Sequence, residues 1–329
     1  LKIIALEEHV VTPGLLEAWA KSPTAMDDGA ADAGWPLVQK LADLGDERLQ
    51  DMDAAGVDVQ VLSLTTPGVQ TLSEADAPVV ARQANDAIAL AMSEHPDRFE
   101  GFAALPTPDP AAAADELRRA IGELGMKGAM LCGRTGERNM DHPDFAEIYR
   151  TAADLSVPLY IHPQPPLAPV RQAIYSGFGE PVDTVFARFG IGWHYETGVQ
   201  LLRLIFSGTF DRHPDLQVIV GHWGEVVLFY IDRIAAMQRT GLKLDRPLED
   251  YFRENVFYTG SGVLSQQYLR WTLETVGVER VMYSVDYPYV SLDGGAARRF
   301  LEESSLEPAD LEKIAHGNWE RLCAMRTTR

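Results

Sequence analysis

Eight short β-rich runs, each separated from the next by a stretch of helical character, constrain the fold of this chain more than any other feature. They are Lys2–Leu6, Val57–Ser63, Phe99–Leu105, Gly128–Leu131, Pro158–Ile161, Leu216–Val220, Asn255–Tyr258 and Arg280–Ser284. Several are unbroken apolar stretches, the pattern of parallel strands covered on both faces. Helices are expected over Asp46–Ala55, Glu74–Glu94, Ala111–Leu124, Pro143–Leu155, Gly198–Phe206, Glu225–Gln238, Gln266–Thr275 and Pro308–Met325. Such a repeated alternation predicts an α/β fold closed into a (β/α)8 TIM barrel rather than an open sheet. A chain of 329 residues suits one such barrel with insertions, so residues 1–329 are expected to form a single domain. Three stretches interrupt the alternation: Ser22–Leu44, Pro163–Trp193 and Arg239–Tyr251. Long loops after strands would cover the C-terminal mouth, where barrel active sites lie.

Charge and composition narrow the partners. A net charge of -19 disfavours a broad contact with nucleic acid or an anionic membrane, and solubility explains it best. No apolar run approaches the length of a membrane span. The opening stretch Leu1–His9 is too short and too acidic for a signal peptide and reads as a buried strand. Cys132 and Cys323 lie far apart and form no CxxC unit, which fits a reducing cytoplasm.

The chemistry-bearing residues sit at strand ends. In an extended segment alternate residues share a face, so Glu7 and His9 can converge while Glu8 points elsewhere. A carboxylate and an imidazole meeting at one point make a divalent-metal site, although a lone Glu-x-His also suits a solvated strand end. His162 ends the apolar run Val157–Ile161, and Asp286 ends Arg280–Val285. An aspartate buried at such a point needs a cation or a donor. His222 follows Val218–Gly221 in the same way. In a closed barrel the first and eighth strands are neighbours, and a metal at the mouth explains all of these positions together.

The order of motifs resembles the amidohydrolase superfamily, in its branch of metal-dependent decarboxylases, and most closely the γ-resorcylate (2,6-dihydroxybenzoate) type. The resemblance rests on Ala5–His9, on Leu202–Pro214 running on to Val220–Glu225, on Tyr283–Pro288 and on Gly317–Leu322, and so spans nearly the whole chain. It implies Glu7, His9, His162 and Asp286 as metal ligands, and His222 with Glu225 as a catalytic histidine and its acidic partner. Many amidohydrolases open with His-x-His. Glu7 replaces the first histidine here, and the added carboxylate moves the preference from zinc towards manganese or magnesium. Lys127 precedes the fourth strand instead of ending it, so one divalent ion is expected, Mn2+ first, with Zn2+ or Mg2+ as alternatives.

The implied activity is non-oxidative decarboxylation of an ortho-hydroxybenzoate, reversible at high bicarbonate, with Asp286 as proton donor. The alternative is a hydrolase of a small lactone, ester or amide, using the same site to activate water. Trp193, Tyr195 and Tyr287 are expected in the aromatic pocket, with Tyr289 beside them. Subunit packing is an equal reading for Trp193 and Tyr195. A helix over Glu225–Gln238 would put Glu225 at a favourable helix start, and Arg233 about two turns on, reaching an anion, Glu225 or a surface or subunit salt bridge. His95, His142 and His213 read as helix boundaries before proline, and His316 as structural. A homodimer or homotetramer is expected from the resemblance.

Overall fold

The computed structural model describes residues 1–31, 34–290 and 293–325. Residues 32 and 33, inside the expected insertion Ser22–Leu44, lie outside the described residues.

Seven parallel strands form one sheet in sequential order: β1 (Ile4–Val10), β2 (Val59–Leu64), β3 (Phe99–Ala104), β4 (Gly128–Leu131), β5 (Leu159–Ile161), β6 (Val218–Val220) and β7 (Val256–Tyr258). Helices separate successive strands, as parallel neighbours require. The sheet has two apolar faces. Its outer face meets the helices in the larger core, through residues such as Ala5, Leu62, Ala103, Leu159 and Val218. The inner face forms a second cluster from Ile4, Leu6, Val61, Phe102, Met130, Tyr160, Ile219 and Phe257. Trp319 and Leu322, from the helix Asn318–Ala324, join this inner cluster, and Trp319 Nε1 donates to Glu100 Oε2 at 2.7 Å. Each fully buried side chain of this size contributes ~1.5–3 kcal/mol.

The expected eighth strand, Arg280–Ser284, is not a strand. Its segment closes the ring through isolated bridges, Tyr258↔Val281 on one side and Leu6↔Ser284 on the other. Its pairing is brief: Met282 N–H donates to Tyr258 O at 2.9 Å and Leu6 N–H donates to Tyr283 O at 3.0 Å. Val285 N–H donates to the Glu8 side chain at 2.8 Å and not to a strand ladder. His9 N–H instead donates to Tyr287 O at 2.7 Å. Strand β1 carries a register irregularity between Ala5 and Glu8, with Glu7 at φ 67°.

Glu8 therefore does not simply point away from the site. It is fully buried, and its carboxylate accepts from Val285 N–H and, at 3.1 Å, from Gln60 Nε2. Gln60 Oε1 in turn accepts from the fully buried Arg48, which also donates to His9 O at 2.7 Å. Burial raises the Glu8 carboxyl to about 8.

The expected helix Glu225–Gln238 is also broken. His222, Trp223, Gly224, Glu225 and Val226 all have positive φ, and helical backbone begins only at Leu228, in three short consecutive pieces: a 3-10 helix Leu228–Tyr230, an α-helix Ile231–Ala235 and a 3-10 helix Ala236–Thr240. Four of those five residues carry side chains, so the turn is strained. Glu225 accordingly owes its place to side-chain partners and not to a helix dipole.

Candidate metal centre

Glu7 and His9 at the end of β1, His162 after β5 and Asp286 after the closing segment converge at one end of the ring. One ligand atom from each lies within 4.8 Å of all the others. His162 Nε2 is 3.4 Å from Glu7 Oε1, and His9 Nε2 is 3.1 Å from Asp286 Oδ1. Glu7 and His9 are wholly buried, which excludes the solvated strand end. The convergence is not simple strand alternation, because Glu7 (φ 67°) and Asp286 (φ 68°) both adopt left-handed backbone. That strain is of order 1–3 kcal/mol each and is typical of functional sites.

Glu7 is oriented from behind. Its Oε2 accepts hydrogen bonds from the Tyr160 and Ser261 hydroxyls. Thr259 Oγ1 lies 2.7 Å from the Tyr160 hydroxyl and completes this support. Gly221 makes room for it, since a Cβ there would lie 2.4 Å from Ser261 Oγ. The other oxygen, Oε1, and both ring nitrogens of His9 are buried without a hydrogen-bond partner. Such orphans are costly unless something satisfies them. His162 Nδ1 pairs with Pro163 O at 2.8 Å, which turns Nε2 towards the cluster. Burial holds the His162 imidazole well below its ordinary value, so it stays neutral, the form that binds metal. Burial likewise pushes the Glu7 carboxyl up to about 7, with Asp286 adding to the rise and His222 and His9 opposing it. Two imidazoles, that of His162 held neutral, and two carboxylates aimed at one point, with Glu7 Oε1 and His9 Nε2 otherwise unpartnered, fit a divalent cation.

Beside this cluster stands a second one. Glu225 is fully buried and bonds two histidines: His222 Nδ1 to Oε1 and His194 Nδ1 to Oε2, both at 2.7 Å. Burial opposes the charge on His222, but Glu225, with Glu7 and Asp286, outweighs it and raises the imidazole to about 9. Glu225 is held below its usual range by the same two partners, although burial opposes this.

A cavity of about 600 Å³ opens onto both clusters. Its lining includes His162, His222 and Asp286, and aromatic walls from Trp35, Phe189, Trp193 and Tyr289. The Tyr289 ring meets the His9 ring edge-on at 5.4 Å, and Trp193 meets His162 at 6.4 Å. Trp193 is thus in the expected pocket, while three other expectations are corrected. Tyr287 turns away: its hydroxyl donates to Asp51 at 2.7 Å and its ring lies under Arg48 at 4.7 Å. Tyr195 is exposed and lines a neighbouring cleft with Phe229 and Trp271. Arg233, in the short helix Ile231–Ala235, is exposed and lines neither cavity, which leaves it at the surface, as its other reading allowed. Lys127 pairs with Glu100 at 3.8 Å, away from the cluster. Sequence reasoning gave His194 no role. No local pattern marks it; only the fold brings its helix against the turn, where a Cβ on Gly198, four residues on, would lie 2.5 Å from Glu225 O.

Comparison with known proteins identifies the family. The pattern of the amidohydrolase family matches residues 20–322. The chain belongs to the amidohydrolase family. Among curated relatives, this amidohydrolase is 37% identical to a γ-resorcylate decarboxylase of Polaromonas sp., over 97% of each chain. A solved dihydroxybenzoic acid decarboxylase from Polaromonas sp., with bound manganese and the inhibitor 2-nitroresorcinol, is 34% identical, with a TM-score of 0.86 and coverage of 98% and 97%. The 5-carboxyvanillate decarboxylase LigW from Sphingomonas paucimobilis is 32% identical, with a TM-score of 0.89 and 98% of each chain covered.

Proposed function

We propose that this amidohydrolase is a metal-dependent, non-oxidative decarboxylase of an ortho-hydroxybenzoate-type aromatic acid. One observation carries the reading. The orphaned Glu7 Oε1 and His9 Nε2 face His162 and Asp286 at an aromatic-walled cavity, in a chain similar over nearly its full length to γ-resorcylate decarboxylases. The cavity volume suits a small molecule.

Glu7, His9, His162 and Asp286 would hold one divalent ion, manganese by preference. When bound, that ion would supply Lewis-acid stabilisation and fix the substrate's carboxylate and neighbouring hydroxyl. Trp193, Tyr289 and Phe189 wall the ring and limit water. Asp286 delivers a proton to the ring carbon that bears the carboxylate. The carbon–carboxylate bond then breaks, its electron pair returns to the ring, and carbon dioxide leaves. His222, held by Glu225, directs its other nitrogen to the cavity to orient the substrate hydroxyl and manage its proton. Positioned acid–base groups contribute ~10²–10⁴-fold.

The same reading takes the fold as a (β/α)8 barrel whose eighth strand is reduced to bridges, with the long connections gathered at the site end. It takes residues 1–329 as one domain and the enzyme as a cytoplasmic homodimer or homotetramer. The exposed Phe229, Tyr230 and Trp271 support subunit packing. Among the described residues no helix is long and apolar enough to cross a membrane.

The test is carbon dioxide release from a panel of ortho-hydroxybenzoates by manganese-loaded protein, against a chelated control. Metal-dependent release is expected. Silence across the panel from protein that retains its metal would overturn the reading in favour of hydrolysis.

A further inference from the structure

His194 shares the Glu225 carboxylate with His222, yet nothing in the proposed chemistry uses it. The geometry is closed. Each Glu225 oxygen is taken by one imidazole Nδ1 at 2.7 Å, and the carboxylate has no exposed surface. An ionised carboxylate only accepts hydrogen bonds, so both Nδ1 atoms must carry their hydrogens. The tautomer and tilt of His222 therefore depend on where Glu225 points, and that depends on its second partner.

His194 is itself fixed. It lies in the first turn of the helix Gly192–Phe206. Its Nε2 is bracketed by Trp193 Nε1 at 3.2 Å and Phe189 O at 3.3 Å. Gly198 packs directly on Glu225 O, so the helix and the strained 222–226 turn touch at backbone distance. The two imidazoles stand 4.5 Å apart, centroid to centroid. Without His194, Glu225 Oε2 would be a buried oxygen with no donor, free to rotate the carboxylate away from His222.

We propose that His194 is a positioning residue: by occupying the second oxygen of Glu225 it locks the carboxylate, and through it the ring of His222. The kinetic part of this inference rests on the decarboxylase reading; the structural part does not.

Two variants separate positioning from any other role of the ring. His194→Asn places an amide N–H where Nδ1 was and removes the imidazole. His194→Leu removes the donor altogether. In the metal-loaded enzyme, His194→Leu should lower kcat about 10- to 100-fold with KM unmoved, the loss expected for one charge-assisted hydrogen bond. His194→Asn should recover most of that loss. In parallel, the His222 Nδ1 proton resonance of 15N-histidine-labelled protein should lie far downfield in the wild type. It should hold its position in His194→Asn and move in His194→Leu. This spectral readout needs no turnover, so it decides the inference even if no benzoate is consumed and the decarboxylase reading falls. A His222 resonance unmoved by His194→Leu, or an Asn variant as impaired as the Leu variant, would overturn it.

Discussion

Removing the Tyr160 hydroxyl isolates the orientation of Glu7 from its identity. Tyr160 is fully buried on the inner face of the sheet, with its ring 5.8 Å from that of Phe102. Tyr160→Phe keeps that packing and deletes one of the two hydroxyl donors to Glu7 Oε2. The hydroxyls left behind are not orphaned, because Thr259 Oγ1 and Ser261 Oγ lie 3.1 Å apart. A hydrogen bond to a charged acceptor contributes ~1.5–3 kcal/mol, and ~1.4 kcal/mol corresponds to a tenfold change in affinity. Loss of a group that orients a metal ligand typically lowers affinity by about 10- to 100-fold, which agrees. Mn2+ affinity should therefore fall about 10- to 100-fold, while the metal-free protein loses at most the ~1.5–3 kcal/mol of the same bond and stays folded. Electron paramagnetic resonance of free Mn2+ in a titration, with calorimetry alongside, measures both. Wild-type affinity in Tyr160→Phe would refute the idea that the hydroxyls aim Glu7 at an ion.

Two further outcomes are expected. Asp286→Asn should abolish carbon dioxide release while folding persists by circular dichroism, since Asn keeps the shape and cannot act as an acid; near-normal turnover would remove Asp286 from the mechanism. Chelator-treated protein should lose stability as pH rises from 7 to 9, because folded Glu8 (about 8) and His222 (about 9) retain protons there that their unfolded forms, at 4.5 and 6.5, have released. A group with a raised pKa contributes stability that is present below its unfolded value and lost through its folded one. A melting temperature that is flat or rises over that range would contradict this.

What the sequence made legible was the alternation and the strand ends. The strand Gly128–Leu131 and the helix Asp46–Ala55 lie where their patterns place them, because apolar runs and a glycine after Ala55 mark them locally. Glu7, His9, His162 and Asp286 were readable as residues too costly to bury without a purpose. What escaped was set by side chains acting at a distance. Arg280–Ser284 has a strand's composition and keeps isolated bridges to both neighbours, but just past it the Glu8 carboxylate takes the backbone donor of Val285. Glu225–Gln238 has a helix's composition, but the run of positive φ through Val226 stops it from starting there. Tyr287 was assigned to the pocket from its position beside Asp286, whereas the buried Arg48 and Asp51 draw it the other way. No local pattern marks such competition.

The seam of the ring has a consequence for how the site comes into being. Glu8 and Val285 are joined across it although 277 residues separate them in the chain. Three of the four donors, Glu7, His9 and Asp286, face one another over that same join. A chain still emerging from the ribosome can display the first two donors for most of its synthesis without being able to capture an ion. Capture of an ion by all four donors therefore requires residues 281–287 to be docked against β1. A bound ion would then act as a clasp across a closure that is otherwise made by isolated bridges.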